Sequence, residues 1–532
     1  SRILSKNAAK RYPPQPIATQ SEIMSQNSPL EQVENPKLTL YAFHLCHDIA
    51  LGEQQRLEQS DRIWKTFAKL GAELGIKSLD ECDRWLNLPP EGGTVPYQEL
   101  LSDAISRCLR FSMGPEPQNS AKLLPSPPRR NGELYALQLH DTYAAELTFR
   151  YPDTVSLDRL PHLNPQGKLL SDRIQASLGQ TLVFFAKPWL DGDNFTSETL
   201  RQLSDRCLEK LLEQAETPIP KPSFRAEGKL LGSPIFEYDN FAEDPAQSCH
   251  ILIWLDCHPD TSRLEANGDY YAPLINLLCY RHKIQFSYHQ DRDRYRHARA
   301  TYRELETVVQ SLQKLPKDRV KRLTALKRSL SETIPKAFTY ATYIRDIQDH
   351  RTGLLTNSKN YTSSLEKMQQ LEGESDLNFL NELIDRRRQF VKQINTDLNY
   401  LIPGKTLFGQ SIATMRGIVE VEQTEINNDI QKAETDLQDH IQAIGVGVAT
   451  GAIFASSSGV MTQPWTMPWK SDRGKYPHPF VVSIIMSGIL AVLAWWLAKY
   501  LIQKWRSSQE SASENSANSQ FSNSQESRGS DS

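Results

Sequence analysis

Residues 480–502 read FVVSIIMSGILAVLAWWLAKYLI and carry a single charged side chain, Lys499. A helix needs about 20 consecutive apolar residues to cross the hydrocarbon layer of a bilayer, and this stretch is long enough. Trp495, Trp496 and Tyr500 sit near its end, with Lys499, Lys504 and Arg506 beside and beyond them. Aromatic and basic side chains together mark a membrane–water interface. Upstream, residues 441–461 read IQAIGVGVATGAIFASSSGVM, without a charge, and predict a second span. Its glycines (Gly445, Gly447, Gly451) and its serines make it a poor lipid-facing helix and suit a span set against other helices or lining a pore. At helical spacing Gly445, Ala449, Ala452 and Ser456 share one face. That face is either a helix-packing surface or a pore wall. The short connection 462–479 makes the two spans a hairpin.

The remainder of the 532 residues is polar enough for water, with a formal net charge of −3. Neither a basic nucleic-acid footprint nor an acidic tail stands out, so no nucleic-acid partner is expected. The seven cysteines, Cys46, Cys82, Cys108, Cys207, Cys249, Cys257 and Cys279, are odd in number and irregular in spacing, and all precede the spans. They suggest no disulfide framework and place the N-terminal region in a reducing cytosol. Three of them precede a histidine (Cys46-His47, Cys249-His250, Cys257-His258), but without Cys-x-x-Cys spacing they read as core cysteines rather than zinc ligands. With that region cytosolic, a hairpin puts both termini in the cytoplasm of a multi-pass inner-membrane protein.

The fold class expected is α+β: an N-terminal cytosolic α/β domain, a long coiled-coil-like helical stalk and two C-terminal transmembrane helices. Residues 1–37 are polar and proline-rich and read as a disordered tail. Within 38–265, alternating apolar patterns at 133–140, 143–150 and 181–186 predict strands, as do 224–238 and 250–255. Residues 53–76 and 197–213 predict helices. Residues 266–440 form the stalk, with Leu323, Leu326, Leu330, Ile334, Phe338, Ala341, Ile344 and Ile347 recurring at helical spacing, and Leu380, Ile384, Val391, Ile394, Leu398 and Leu401 repeating the pattern. Such seams require a facing helix. Pro403-Gly404 reads as a break, after which a new helix runs into the first span; helix and span together extend about 85 Å at 1.5 Å per residue. Residues 441–505 are the membrane hairpin and 506–532 a low-complexity, disordered tail.

Ahead of the first span the helix turns acidic, with Glu425, Asp429, Asp436 and Asp439 among its carboxylates. They form either a solvated helix face or a collar that concentrates cations at a pore mouth. Gly404-Lys405-Thr406 resembles the end of a phosphate-binding loop, but Asn399 stands where the loop needs glycine. Arg292, Arg294, Arg296 and Arg299 alternate with acids as on a solvated helix. No nucleophile–base constellation is legible, so no enzymatic activity and no cofactor are expected. A divalent cation is expected only as a transported or regulatory ion.

The order of these parts resembles the CorA-type magnesium channel family, over about residues 269–506 and by plausibility over the N-terminal part. Met467-Pro468 before Trp469, then Gly474, Tyr476 and Pro477, are similar to the family's loop between spans. The resemblance implies a homopentamer whose first spans line a central pore, with Ile441, Gly445, Ala449, Ala452, Ser456 and Met461 along it. The family closes its first span with Tyr-Gly-Met-Asn. The matching stretch here is Ser458-Gly459-Val460-Met461, so Gly459, Val460 and Met461 occupy the pore-entrance signature, with a thioether in place of the amide. Soft sulfur is a poor partner for hydrated magnesium. The expected function is an oligomeric cation pore with selectivity altered from magnesium; the alternative is a membrane-anchored sensor or effector, for example in defence, whose cytosolic domain binds an unidentified signal.

Overall fold

The computed structural model describes residues 32–47, 57–88, 95–102, 107–113, 129–189, 196–457 and 484–505. Residues 1–31 of the expected N-terminal tail, the expected C-terminal tail 506–532, the loop 462–479 and the pore-entrance residues Gly459, Val460 and Met461 lie outside them.

From Leu38 onward β1 (Gln32–Leu45) has apolar residues on both faces, as a strand covered on two sides does. Leu38, Leu40 and Ala42 enter one hydrophobic cluster while Tyr41 and Phe43 enter another, which is the period of two of an extended chain. Around it assemble β2 (Val95–Glu99), β3 (Leu109–Met113), β4 (Arg130–His140), β5 (Thr142–Arg150), β6 (Thr154–Ser156), β7 (Gly179–Pro188), β8 (Ser223–Leu230), β9 (Ser233–Asp239) and β10 (His250–Leu255). The strand order is β2-β4-β5-β1-β7-β10-β9-β8, with β3 also on β4 and β6 also on β1. The β7–β10 pair is parallel and the others antiparallel, so the sheet is mixed. The fold is α+β.

One face is covered by α1 (Arg62–Leu74) and, beyond the short helices α2 (Lys77–Asp80) and α3 (Ser171–Ile174), by α4 (Ser197–Leu212). Trp64, Phe67, Leu203 and Leu211 join Leu40, Leu147, Phe184 and Ile253 in its core. On the other face, after α5 (Thr261–Asn267), the helix α6 (Tyr271–Ser311) sets Leu274, Ile275, Leu278 and Ile284 against Phe43, Val183, Phe185 and Trp254. Two longer helices follow, α7 (Arg319–Gln369) and α8 (Glu382–Ser457), the latter of 76 residues. A further helix, α9 (Ile484–Trp505), is the last among the described residues.

Four expectations change. The strand β1 begins at Gln32, inside the expected tail, because Val33 is buried and pairs with Val155 and Pro188 across a bulge at residues 34–37. Residues 224–238 form two strands, turned at Leu231 (φ 50°) and Gly232 (φ 89°). The expected stalk is no separate region. The described residues up to Val309 form one compact unit together with Thr333–Gly409, whereas Gln310–Glu332 belong to a second unit with the described residues from Gln410 onward. The apolar stripe of α6 explains this, since it is spent on the sheet.

Finally, α8 runs through Pro403-Gly404 without a break. Gly404 is there for closeness: a Cβ on it would lie 2.8 Å from the Tyr302 ring and from the Tyr340 hydroxyl. Tyr340 donates to the Leu401 carbonyl at 2.7 Å, and Phe408 meets both tyrosine rings edge-on, at 5.3 and 5.5 Å. In an open helix Gly→Ala stabilises by about 1 kcal/mol. Gly404→Ala should instead destabilise by about 1–3 kcal/mol, the usual cost of overpacking. Thermal melts of the two proteins in mild detergent test this, and a higher melting temperature for the variant contradicts it.

Candidate functional site

In the second unit, α9 is long and apolar enough to cross a membrane. Ile485, Ile489, Val492, Leu493, Trp496 and Leu497 are all exposed, unlike the apolar side chains of a core helix in a water-soluble protein. Trp496 and Tyr500 stack at 6.2 Å near its end, and the Lys499 ammonium lies 5.6 Å from the Trp495 ring.

The last turns of α8 lie against α9 through glycine. A Cβ on Gly447 would come within 3.1 Å of the Ala491 carbonyl oxygen and of Trp495 Cβ, and one on Gly451 within 3.1 Å of Ala491 Cβ. This Gly-x-x-x-Gly spacing lets two helix backbones approach closely. Gly445 is two residues from Gly447, just over half a helical turn. A Cβ there would meet nothing within 4 Å. On the same side Ile441, Ala449 and Ala452 are exposed. The structure therefore separates two sets of small residues that look alike in sequence: Gly447 and Gly451 pack, while Gly445, Ala449 and Ala452 face away. Ser456 lies in the last turn of α8, and Met461 is outside the described residues.

Of the expected acidic collar, Glu425 and Asp429 both pair with Arg319, at 3.2 and 3.5 Å. One turn earlier Glu422 pairs with Arg322. Asp436 and Asp439 follow along α8 towards the apolar turns. This acidic stretch of α8 is thus partly neutralised by the start of α7, which the run of carboxylates alone did not suggest.

The first unit holds a second constellation that sequence reasoning missed. Arg281 of α6 is buried and pairs with Asp239 and, at 3.4 Å, with Glu237. His250 Nε2 lies 3.0 Å from Glu237, and its Nδ1 lies 2.8 Å from the Thr181 hydroxyl, which is also 2.8 Å from His282 Nε2. One proton arrangement satisfies every contact: His282 donates to Thr181, Thr181 to His250, and His250 to Glu237. It requires a neutral His250, whose Nδ1 must accept, and burial together with the Arg281 charge does push the pKa values of both imidazoles well below the ordinary range. Glu237, Asp239 and His250 bring their donor atoms within 4.8 Å of one another, a metal-like grouping, but the guanidinium of Arg281 already supplies the cation. The signal lay in α6, where Arg281 falls on the same face as Leu274, Leu277 and Leu278.

A third buried group, Glu146 on β5, sits beside Tyr41 of β1 and Tyr135 of β4. Burial pushes its carboxyl up to about 7, against the opposing pull of the Tyr271 and Tyr41 hydroxyls and of Lys37. All seven cysteines are free thiols. Burial raises Cys82, Cys207, Cys249 and Cys257 to about 12, so these thiols are poor nucleophiles at neutral pH. Comparisons of the chain with protein-family models, with curated proteins and with solved structures gave no match.

Two outcomes follow from the buried charges. Arg281→Met leaves two buried carboxylates without their cation and should cost about 3–5 kcal/mol; adding Asp239→Asn should recover part of the loss, and no recovery contradicts the pairing. For Glu146 the folded pKa lies above the unfolded one. Its contribution to stability is therefore complete below about pH 4.5 and lost as pH rises through about 7. On the order of 3 kcal/mol is at stake. Glu146→Gln should flatten that part of the pH–stability profile, and an unchanged slope contradicts the assignment.

Proposed function

We propose that the chain is a membrane protein whose two C-terminal helices form a hairpin, and that copies of it assemble around an ion path lined by the first helix. One observation carries this reading. The close-packing glycines of α8 are used on α9, while Ile441, Gly445, Ala449 and Ala452 stand on the opposite side, with none of the described residues over Gly445. A small-residue face left clear in this way suits a narrow path or another copy's helix. The exposed apolar surface of α9 supports a lipid setting, because water would not tolerate it.

In the pentamer that the CorA resemblance implies, the first spans of neighbouring copies surround the axis and Ile441 forms an apolar ring at the cytosolic end. Carboxylates from Glu425 to Asp439 favour cations over anions near that end, with Arg319 reducing the field. Met461 at the signature position argues for a cation other than magnesium, since a thioether holds a magnesium water shell poorly. The chain then sits in the inner membrane with both ends in the cytoplasm.

The test is conductance of purified protein in planar bilayers. Cation-selective current is expected, with Gly445→Leu and Ala449→Leu reducing unitary conductance while the hairpin stays folded. Gly447→Leu and Gly451→Leu should instead disrupt hairpin packing and lower the yield of assembled protein. Absence of current from an assembled oligomer, or full conductance in both Gly445→Leu and Ala449→Leu, contradicts the pore.

A further inference from the structure

On the α1 side of the sheet unit, Thr66, Lys69, Leu70, Glu73, Gln166, Lys168, Arg173, Ile174 and Glu216 line a cleft of about 360 Å³. That is the size range of small-ligand sites, which begins near 300 Å³. Its floor is apolar, from the buried Leu70 and Ile174. Its rim is not. Three cations converge on it from three elements: Lys69 from α1, Lys168 from the turn before α3, and Arg173 from α3.

The carboxylate of Glu73 stands between two of them, 3.0 Å from the Lys168 ammonium and 3.9 Å from that of Lys69. Lys168 keeps only 19% of its side chain exposed, so it is held in place rather than waving in solvent. Arg173 is anchored too, donating to the Glu216 carbonyl at 3.3 Å. Its bond with Lys168 pulls the Glu73 carboxyl below its ordinary range. The lining carries three cations against two carboxylates, Glu73 and Glu216, and a third carboxylate, Asp172 of α3, stands 3.6 Å from Arg173.

We infer that this cleft binds a small phosphate ester of about mononucleotide size, and that Glu73 occupies the place its phosphate takes. Donors arriving from three directions suit a tetrahedral anion better than a planar carboxylate, which one arginine fork would satisfy. The Thr66 hydroxyl, the Gln166 amide and the Glu216 carboxylate offer partners for sugar hydroxyls, and Leu70 and Ile174 offer an apolar floor. Phosphate binding displaces Glu73 from Lys168 and turns its carboxylate outward. This site is independent of any current through the membrane part.

Isothermal titration of the full-length protein in detergent, with AMP and inorganic phosphate as probes, tests the inference. Saturable AMP binding is expected, with inorganic phosphate competing. Lys168→Gln should weaken AMP by roughly tenfold or more, the loss of one charge-assisted contact. Glu73→Gln should tighten it, because the internal competitor loses its charge, and a gain in affinity cannot come from misfolding. No saturable heat with AMP overturns the site. So does unchanged AMP affinity in Lys168→Gln, weaker AMP binding in Glu73→Gln, or binding of inorganic phosphate without AMP.

Discussion

The close approach of Gly447 and Gly451 to Ala491 and Trp495 is the contact on which the pairing of α8 with α9 depends. Two helix backbones come that near only where side chains are absent, so the position of these glycines decides which side of α8 meets α9. It decides the other side as well. A helix with 3.6 residues per turn that spends positions 447 and 451 on a partner must present 445 and 449 elsewhere. The small residues at the end of α8 therefore divide into a packing set and an exposed set that composition alone cannot separate, and the pairing of α8 with α9 separates them.

The sheet unit rests on a different constraint. Its central strands are covered on both faces, so any charge there must find its opposite within the core. Arg281, Glu237 and Asp239 meet that requirement together, with His250, Thr181 and His282 completing a chain of hydrogen bonds. Glu146, ringed by tyrosines, meets it differently, by holding its proton up to about pH 7. The first solution ties α6 to strands β7, β9 and β10. It explains why the opening turns of a helix that looks like a stalk in sequence belong to the sheet.

Much of the local structure was legible because it is written in local pattern. Alternation placed β4, β5, β7 and β10 within a few residues, and the apolar spacing of α4 gave its limits. What failed was non-local. Turn-forming residues concealed the start of β1, where Asn35 and Pro36 accommodate a bulge rather than end a strand. Pro403-Gly404 imitated a helix stop, although the tyrosines that require the glycine come from α6 and α7. Strand order, the ion pairs of Arg319 and Arg322, and the Lys168 cleft depend on residues far apart in sequence, and no periodicity encodes such meetings. At the end of α8 the shared face of Gly445, Ala449 and Ala452 was legible, but its distinction from the packing face of Gly447 and Gly451 required α9.

Alkaline carbonate extraction of membranes from cells expressing the full chain addresses the proposed membrane hairpin most directly, because it strips peripheral proteins and leaves spanning ones. The chain should remain in the pellet with the lipid. Its recovery in the supernatant would contradict a bilayer-crossing α9, and with it the hairpin and the ion path.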